Sequence, residues 1–484
     1  MDKAVLSRFI RGVFSTSTGV IAQIILGFLG FMIVVRFVPK GELGIYILIE
    51  AIYTFFGLLS SLTLENISVT RFIASADDSD KIDIANAAMS FKVIISLLIG
   101  LTILLCKPLI YPIFKNELLS KFLIYVPLLF ILSALNDFLF RIQQGFHQYK
   151  KMAIANIIQG VFSFLFIIVF LVVLKMRIRG LIFAYIVAFT ASILYQYIML
   201  PIKKRLNLNM KLYKTIFKFG FPLGLNNILY FVYSRIDRLL LGAMINPIGV
   251  AYYEVASRIP NKSQQLYGSF NNVFFPNISE YIAKKNYREA EKILNNSLRL
   301  ISFATIFATV IATIFRKEII ILLFSKMYIE SATVLSIMMV SLSITITGTI
   351  LGTSLVALGQ SDKPVKINLV NAATNVVCNL ILIPIFGFIG AAYAALLSHS
   401  IALPFYVWFL KKSKIRLEIT HYLKPLLGYC LLLAIFILIG PVSIITKLTL
   451  IMVFLIFCIC LSIIRKKDIL HIFEVLKPSL QVIK

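Results

Sequence analysis

Charge is what this sequence has least of. Only 14% of its 484 residues are charged, and 21 acidic residues stand against 48 Lys and Arg. A soluble domain carries about 25% charged and about 45–50% apolar residues, whereas 60% of this chain is hydrophobic. That excludes a soluble globular enzyme and a disordered chain. Cysteine is scarce too. The five present, Cys106, Cys378, Cys430, Cys458 and Cys460, lie in or beside apolar runs without framework spacing, which excludes a disulfide scaffold. They read as small residues of the lipid phase. Catalytic signatures are missing: there is no G-x-x-x-x-G-K-[ST] and no H-E-x-x-H, and His147, His399, His421 and His471 are scattered. Asp77-Asp78-Ser79-Asp80 has the make-up of a divalent-metal loop, but a solvated turn accounts for it better. The net charge of +27 is spread over short loops rather than concentrated in a Lys/Arg tract interleaved with aromatics, so it does not indicate nucleic acid.

What the chain does have is length of apolar sequence. Runs long enough to span a bilayer occur near 13–36, 43–65, 84–106, 118–140, 152–174, 180–202, 216–243, 249–275, 297–315, 331–358, 365–386, 388–410, 422–440 and 443–464. Runs of about 20 residues in lipid must be helices, because only a helix satisfies its backbone within one segment at that length. The expected fold is therefore an all-α polytopic membrane protein of about 14 helices. Lys3, Arg8 and Arg11 before the first run imitate a secretion signal, but that run is too long and lacks a clear small-residue cleavage site. It is expected to stay as the first span. Between spans, 31 of the Lys and Arg fall at the termini and even-numbered loops and 12 in the odd ones. The positive-inside rule then places both termini in the cytoplasm.

The sequence also repeats. Gly12 and Pro39 recur as Gly220 and Pro247, displaced by 208; Asn66-Ile-Ser68 recurs as Asn277-Ile-Ser279, displaced by 211. Asn156 and Gly180 match Asn368 and Gly390, displaced by 212 and 210, and Lys92 matches Arg299, displaced by 207. Near-constant displacement over an even number of spans predicts two parallel, pseudo-symmetric six-helix lobes. The expected organisation is an N-lobe at 1–202, a basic cytoplasmic linker at 203–218, a C-lobe at 219–410, and two further helices with a cytoplasmic tail at 411–484.

The informative residues are polar ones inside spans, which must face protein or water because charge at the bilayer centre is costly. In the eighth run Glu254, Arg258, Asn261, Lys262, Gln265, Gly268 and Asn272 recur every three or four residues, drawing one stripe along a helix face, with Pro260 expected to kink it. The second run repeats this more weakly through Glu50, Thr54, Gly57, Ser61 and Glu65. The seventh adds Asn226, Tyr230, Arg235, Asp237 and Arg238, and the fourth ends with Asn136, Asp137 and Arg141. Helices with wet faces around a repeat axis suggest a water-filled cavity. Arg235, Arg238, Arg258, Lys262 and Lys92 would be its cations, and arginine forks onto phosphate or carboxylate oxygens. Asp237, Glu254, Glu50, Glu65 and Asp137 are its acids and candidates for ion coupling. Asn226, Tyr230, Asn261, Gln265 and Asn272 could meet sugar hydroxyls. The plainer reading is internal neutralisation, Glu254 with Arg258 at i,i+4 and Asp237 with Arg235 or Arg238, while Lys92 snorkels to the interface. No metal site or cofactor is expected.

The stretch SRIDRLLLGAMINPIGVAYYEVASRI at 234–259 resembles the seventh-span signature of polysaccharide-export flippases: Asp-Arg, a Gly four residues on, then Gly-x-x-Tyr. These belong to the multidrug/oligosaccharidyl-lipid/polysaccharide exporter superfamily. PKGELGIY at 39–46 is similar to a degenerate first-half partner, and GFHQYKKMAIAN and LGQSDKPVKIN are family-like entries to the fifth span of each half. The resemblance covers essentially the whole chain. It implies two six-helix lobes around a V-shaped cavity and alternating access that moves an undecaprenyl-pyrophosphate-linked O-antigen or capsule repeat unit to the outer leaflet. The substrate would pass to a polymerase or ligase of the same pathway, and coupling to H+ or Na+ is left open. Arg235, Asp237, Arg238, Arg258 and Lys262 would be cavity residues. The first half carries few matching cations, which weakens any charge-symmetric clamp. Alternatives are a lipid II-type flippase, a multidrug or cation antiporter, and, in a different class, a membrane glycan polymerase, for which the loops are short.

Overall fold

A computed structural model of the chain describes residues 3–64, 66–201, 206–440 and 443–463; within these, the side chains of 3–17, 78, 79, 222, 223, 226, 229, 230, 233, 234, 269 and 272 are not described. Every regular element among the described residues is helical. In chain order they are α1 Lys3–Phe37, α2 Lys40–Thr63, α3 Asn66–Ser75, α4 Asp78–Phe114, α5 Glu117–Phe122, α6 Val126–Gly145, α7 Tyr149–Ile167, α8 Arg177–Met199, α9 Met210–Met244, α10 Pro247–Ala283, α11 Tyr287–Ile314, α12 Arg316–Leu323, α13 Ser331–Ala357, α14 Asp362–Phe386, α15 Phe388–Lys411, α16 Thr420–Ile439 and α17 Ile444–Cys460. A π-helical turn, Ile168–Val173, prolongs α7.

Eleven stretches are long and apolar enough to cross a membrane by length and composition. The other three apolar runs correspond to α9, α10 and the 17-residue α17. Helices α9 and α10 have the length, 35 and 37 residues, but the polar residues that mark them as interesting also dilute their hydropathy. Large apolar side chains point outward along the spanning helices, as on α4, where Leu97, Leu101, Leu105 and Leu109 are all more than half exposed. In water such a surface would aggregate; in a bilayer it faces lipid tails. The chain is a multi-pass membrane protein.

The repeat read from the sequence returns in the series of elements. A 35-residue helix opens each half, α1 and α9. A short helix, α5 or α12, sits at the same place in each series, of 6 and 8 residues. The first half differs at one point: α2 ends at Leu64, whose backbone is extended, and a separate α3 begins at Asn66, whereas α10 runs unbroken through Pro260 and Pro276.

By packing, the chain forms two compact units, Met1–Glu254 with Leu323–Ser325, and Val255–Leu322 with Lys326–Lys484. In the first, α1 packs on α7, α7 on α8, α2 on α9, and α6 on α4 and α8. The α1–α7 crossing is as close as backbones allow: a Cβ at Gly19 would lie 2.6 Å from Ala153 Cα. Small residues at such crossings replace the hydrophobic drive that lipid removes. The segment before α9 belongs to this unit as well. Asn207 donates its backbone N–H to Ser90 Oγ at 3.0 Å, and Tyr213 stacks on Phe91 at 4.5 Å. In the second unit α14 and α15 form a tight antiparallel pair, α13 packs on α11 and α15, and α16 leans on α11. The α16–α17 hairpin is tied down by Lys447, which donates to Glu318 of α12, and by Arg299 of α11, whose Nη1 donates to the Ile463 carbonyl at 3.0 Å.

Candidate functional site

The densest charge in the first unit sits where α2, the middle of α9 and the first turns of α10 meet. The crossing is set by Gly44 of α2, where a Cβ would fall 1.7 Å from the Pro247 carbonyl oxygen, so only glycine fits. Beside it Lys40 Nζ donates to Tyr252 Oη at 2.7 Å. Two turns deeper, Arg235 Nη1 donates to Glu50 Oε1 at 2.9 Å, with the two side chains 35% and 22% exposed. Next to them Arg238 is enclosed. Its Nε donates to Glu254 Oε2 at 2.7 Å, its Nη1 to Asp237 Oδ1 at 3.2 Å, and its side chain is 5% exposed. Asp237 also accepts from the Arg238 backbone N–H at 2.9 Å and from the Tyr253 hydroxyl.

The chemistry of this cluster is balanced. Arg235, Arg238 and Lys40 face Glu50, Asp237 and Glu254, so the group is neutral as a whole. Neutrality is what makes burial tolerable at membrane depth. The two arginines differ in what they can still do. Arg238 has its fork filled by two carboxylates. Arg235 shares one carboxylate and keeps a third of its surface open, so it retains N–H groups for an external anion.

Lys92 lies elsewhere in the same unit, on α4. It is 2% exposed, and its ammonium donates to Ser60 Oγ at 2.8 Å and Asn66 Oδ1 at 3.2 Å, 5.2 Å above the Phe138 ring. It thus holds the end of α2 to the start of α3 rather than reaching the interface. Asp137 of α6 is its electrostatic neighbour, and Asp137 is in turn influenced by Arg141 of the same helix. Around them Asn136 donates to Gln159 at 3.2 Å and accepts from Gln196 at 3.0 Å, a polar network inside the unit.

In the second unit α10 carries the rest of the stripe. Arg258, Asn261 and Lys262 are half-buried and Gln265 is exposed; Lys262 Nζ donates to Gln265 Oε1 at 3.2 Å. One turn further, Asn271 accepts from Thr353 Oγ1 of α13 at 3.1 Å. Glu65 and the side chains of Asn226, Tyr230 and Asn272 lie outside the described residues.

Sequence reasoning found the charges and the Asp237–Arg238 pair, seen at 3.2 Å, but missed the partners that come from other helices. Tyr253 and Tyr252, adjacent in AYYEVAS, hold Asp237 and Lys40. The available signal was chemical: a buried tyrosine hydroxyl in a span needs a partner, and the acids nearby supplied one. Ser60 and Asn66, the acceptors for Lys92, carried no such signal, since their meeting depends on the α2–α3 break.

Long helices, outward apolar faces and buried ion pairs at helix crossings define a polytopic membrane fold. The chain belongs to the polysaccharide biosynthesis protein family, which matches residues 33–333, more than half of it. Among its relatives, the capsular polysaccharide biosynthesis protein CapF of Staphylococcus aureus is 24% identical over 44% of this chain and 53% of CapF. The probable low-salt glycan biosynthesis flippase Agl15 of Haloferax volcanii is 26% identical over 35% of this chain and 36% of Agl15. The match thus spans about half, or less, of the length of these relatives. Among solved structures, the lipid II flippase MurJ in an inward closed conformation superposes with a TM-score of 0.72 at 18% identity, over 91% of this chain and 97% of MurJ. A multidrug resistance MATE family transporter of the MOP superfamily gives 0.66 at 15% identity, over 81% of this chain and 96% of that one. The fold is that of this superfamily, as the sequence led one to expect.

Proposed function

We propose that this protein is a flippase that carries an undecaprenyl-pyrophosphate-linked oligosaccharide repeat unit from the cytoplasmic to the outer leaflet of a bacterial inner membrane. Its termini lie in the cytoplasm, and its two lobes, 1–202 and 219–410, alternate in access. The observation that carries the reading is a set of arginines and lysines along α9 and α10, Arg235, Arg238, Arg258 and Lys262, in a chain of the polysaccharide biosynthesis protein family. A flippase must offer a diphosphate headgroup replacements for its water without holding it irreversibly. Arg235, Arg258 and Lys262 are the direct anion contacts in this reading. Arg238 and Lys92, enclosed by acceptors of the protein, position the helices that carry them. Asn226, Tyr230, Asn261, Gln265 and Asn272 meet the sugars.

Ion coupling falls to the acids. Glu50 and Arg235 form one exchangeable pair: phosphate arriving at Arg235 frees Glu50 to take up H+ or Na+. Asp237, Glu254, Asp137 and Glu65 are the remaining candidates. The flipped unit then passes to a polymerase or ligase on the outer face.

The test uses cells that depend on this protein for a surface glycan. Replacing Arg258 and Lys262 together by Ala is expected to abolish the glycan while undecaprenyl-linked units accumulate in the cytoplasmic leaflet. Units that still reach the outside but stay unpolymerised would overturn the flippase in favour of a polymerase. Changed drug sensitivity with intact glycan would instead indicate an antiporter.

A further inference from the structure

The one tryptophan of the chain, Trp408, sits in the last turns of α15 at the head of an exposed apolar stripe. Leu397, Ile401, Phe405 and Trp408 succeed one another at helical spacing and are 43%, 45%, 44% and 49% exposed. The stripe ends in Lys411 and Lys412, both exposed, with Lys412 Nζ lying 3.7 Å above the Trp408 ring. Helix α14 runs antiparallel beside it, Tyr406 Oη donating to Asn368 Oδ1 at 3.0 Å. The start of α14 therefore lies at the same end. There Lys363 Nζ stands 5.3 Å over the Phe409 ring, and Lys366, 70% exposed, crowns a second outward apolar row that begins with Leu369.

Charge is uneven across this edge. Asp362 pairs with Lys363 at 3.0 Å and Lys366 at 3.5 Å. No carboxylate lies within ion-pair distance of Lys411 or Lys412 among the described residues. Two apolar strips, an aromatic at headgroup depth and a surplus of about three positive charges match one occupant, a lipid with two acyl chains and an anionic head. The chains fit the strips, the phosphate fits between the lysines of the two helices, and Trp408 takes the amphipathic boundary position such rings prefer. A plain orientation signal would need the lysines but not the paired strips or the tryptophan between them.

We propose that the α14–α15 edge is a binding site for an anionic phospholipid, with Lys411, Lys412 and Lys366 on its phosphate and Trp408 at its glycerol backbone. Because Trp408 is unique, it reports on this site alone. The full-length protein is placed in phosphatidylcholine vesicles, and phosphatidylglycerol with brominated chains, a contact quencher, is added. Quenching is expected to saturate at a lower mole fraction than with brominated phosphatidylcholine, and to weaken with salt. K411Q/K412Q should shift the half-quench point by about fivefold per lysine, while K326Q, at the opposite membrane face by the span count, leaves it in place. Unchanged quenching by brominated phosphatidylcholine shows that α15 of the variant is still seated; if it changes, K366Q on the neighbouring helix carries the test. Equal quenching by the two lipids in the unaltered protein, or a half-point indifferent to these lysines, overturns the proposal.

Discussion

At the scale of residues, the decisive fact is that two arginines three positions apart have different freedom. Arg238 is sealed with two carboxylates, and Arg235 shares one carboxylate at a partly open position. Removing one partner of a sealed pair strands the other, which costs on the order of 3–5 kcal/mol. R238A should therefore lower the thermal unfolding temperature of the detergent-purified protein well beyond R235A, whereas R235A should spare stability and impair glycan export. Comparable unfolding temperatures for the two would show that Arg238 is not sealed in the working protein. The sequence made the charges of this cluster visible through spacing, but spacing sees only neighbours along one helix. Glu254 stands four residues before Arg258 and meets Arg238 sixteen residues away on another helix. Pairings of that kind depend on how helices cross, which no periodicity encodes.

At the scale of elements, apolar length made most helices legible, because a bilayer leaves few other options for such runs. What escaped was everything set by polar or short sequence. The run at 43–65 stops where α2 does but carried no sign that a separate α3 would restart at Asn66, nor did the run at 118–140 announce the short α5 before α6. Two contacts between elements yield predictions. A methyl group at Gly44 has no space against Pro247, so G44A should push α2 from α10 and reduce both yield and unfolding temperature, while G57A, with open space around it, should not. A similar effect of both would mean the crossing is loose. The Glu318–Lys447 pair ties the α16–α17 hairpin to α12. Partial burial works against the Glu318 carboxylate, but the Lys447 ammonium outweighs it and holds the carboxyl below its ordinary value of 4.5. A depressed carboxyl stabilises the fold above its ordinary value, and that contribution fades as pH falls through the depressed one. E318Q should remove this acid-side part of the pH dependence of unfolding and leave the neutral-pH behaviour nearly flat; an unchanged acid limb would place the dependence on another group.

At the scale of the whole molecule, the arrangement of basic loops has to agree with the arrangement of helices. The turn between α4 and α5 around Asn116 and the turn between α6 and α7 around His147 are separated by one spanning stretch, Glu117–Gly145. One crossing puts them on opposite sides of the membrane. In the proposed orientation, which follows the surplus of Lys and Arg at the termini and even loops, the His147 side is cytoplasmic. The lysines of the α14–α15 edge share that side by the same count, in a chain whose net charge is +27. With the five native cysteines replaced by alanine or serine, Asn116→Cys should react with a membrane-impermeant maleimide in intact cells, and His147→Cys only after the membrane is opened. The reverse pattern would invert the molecule, turning the positive face outward.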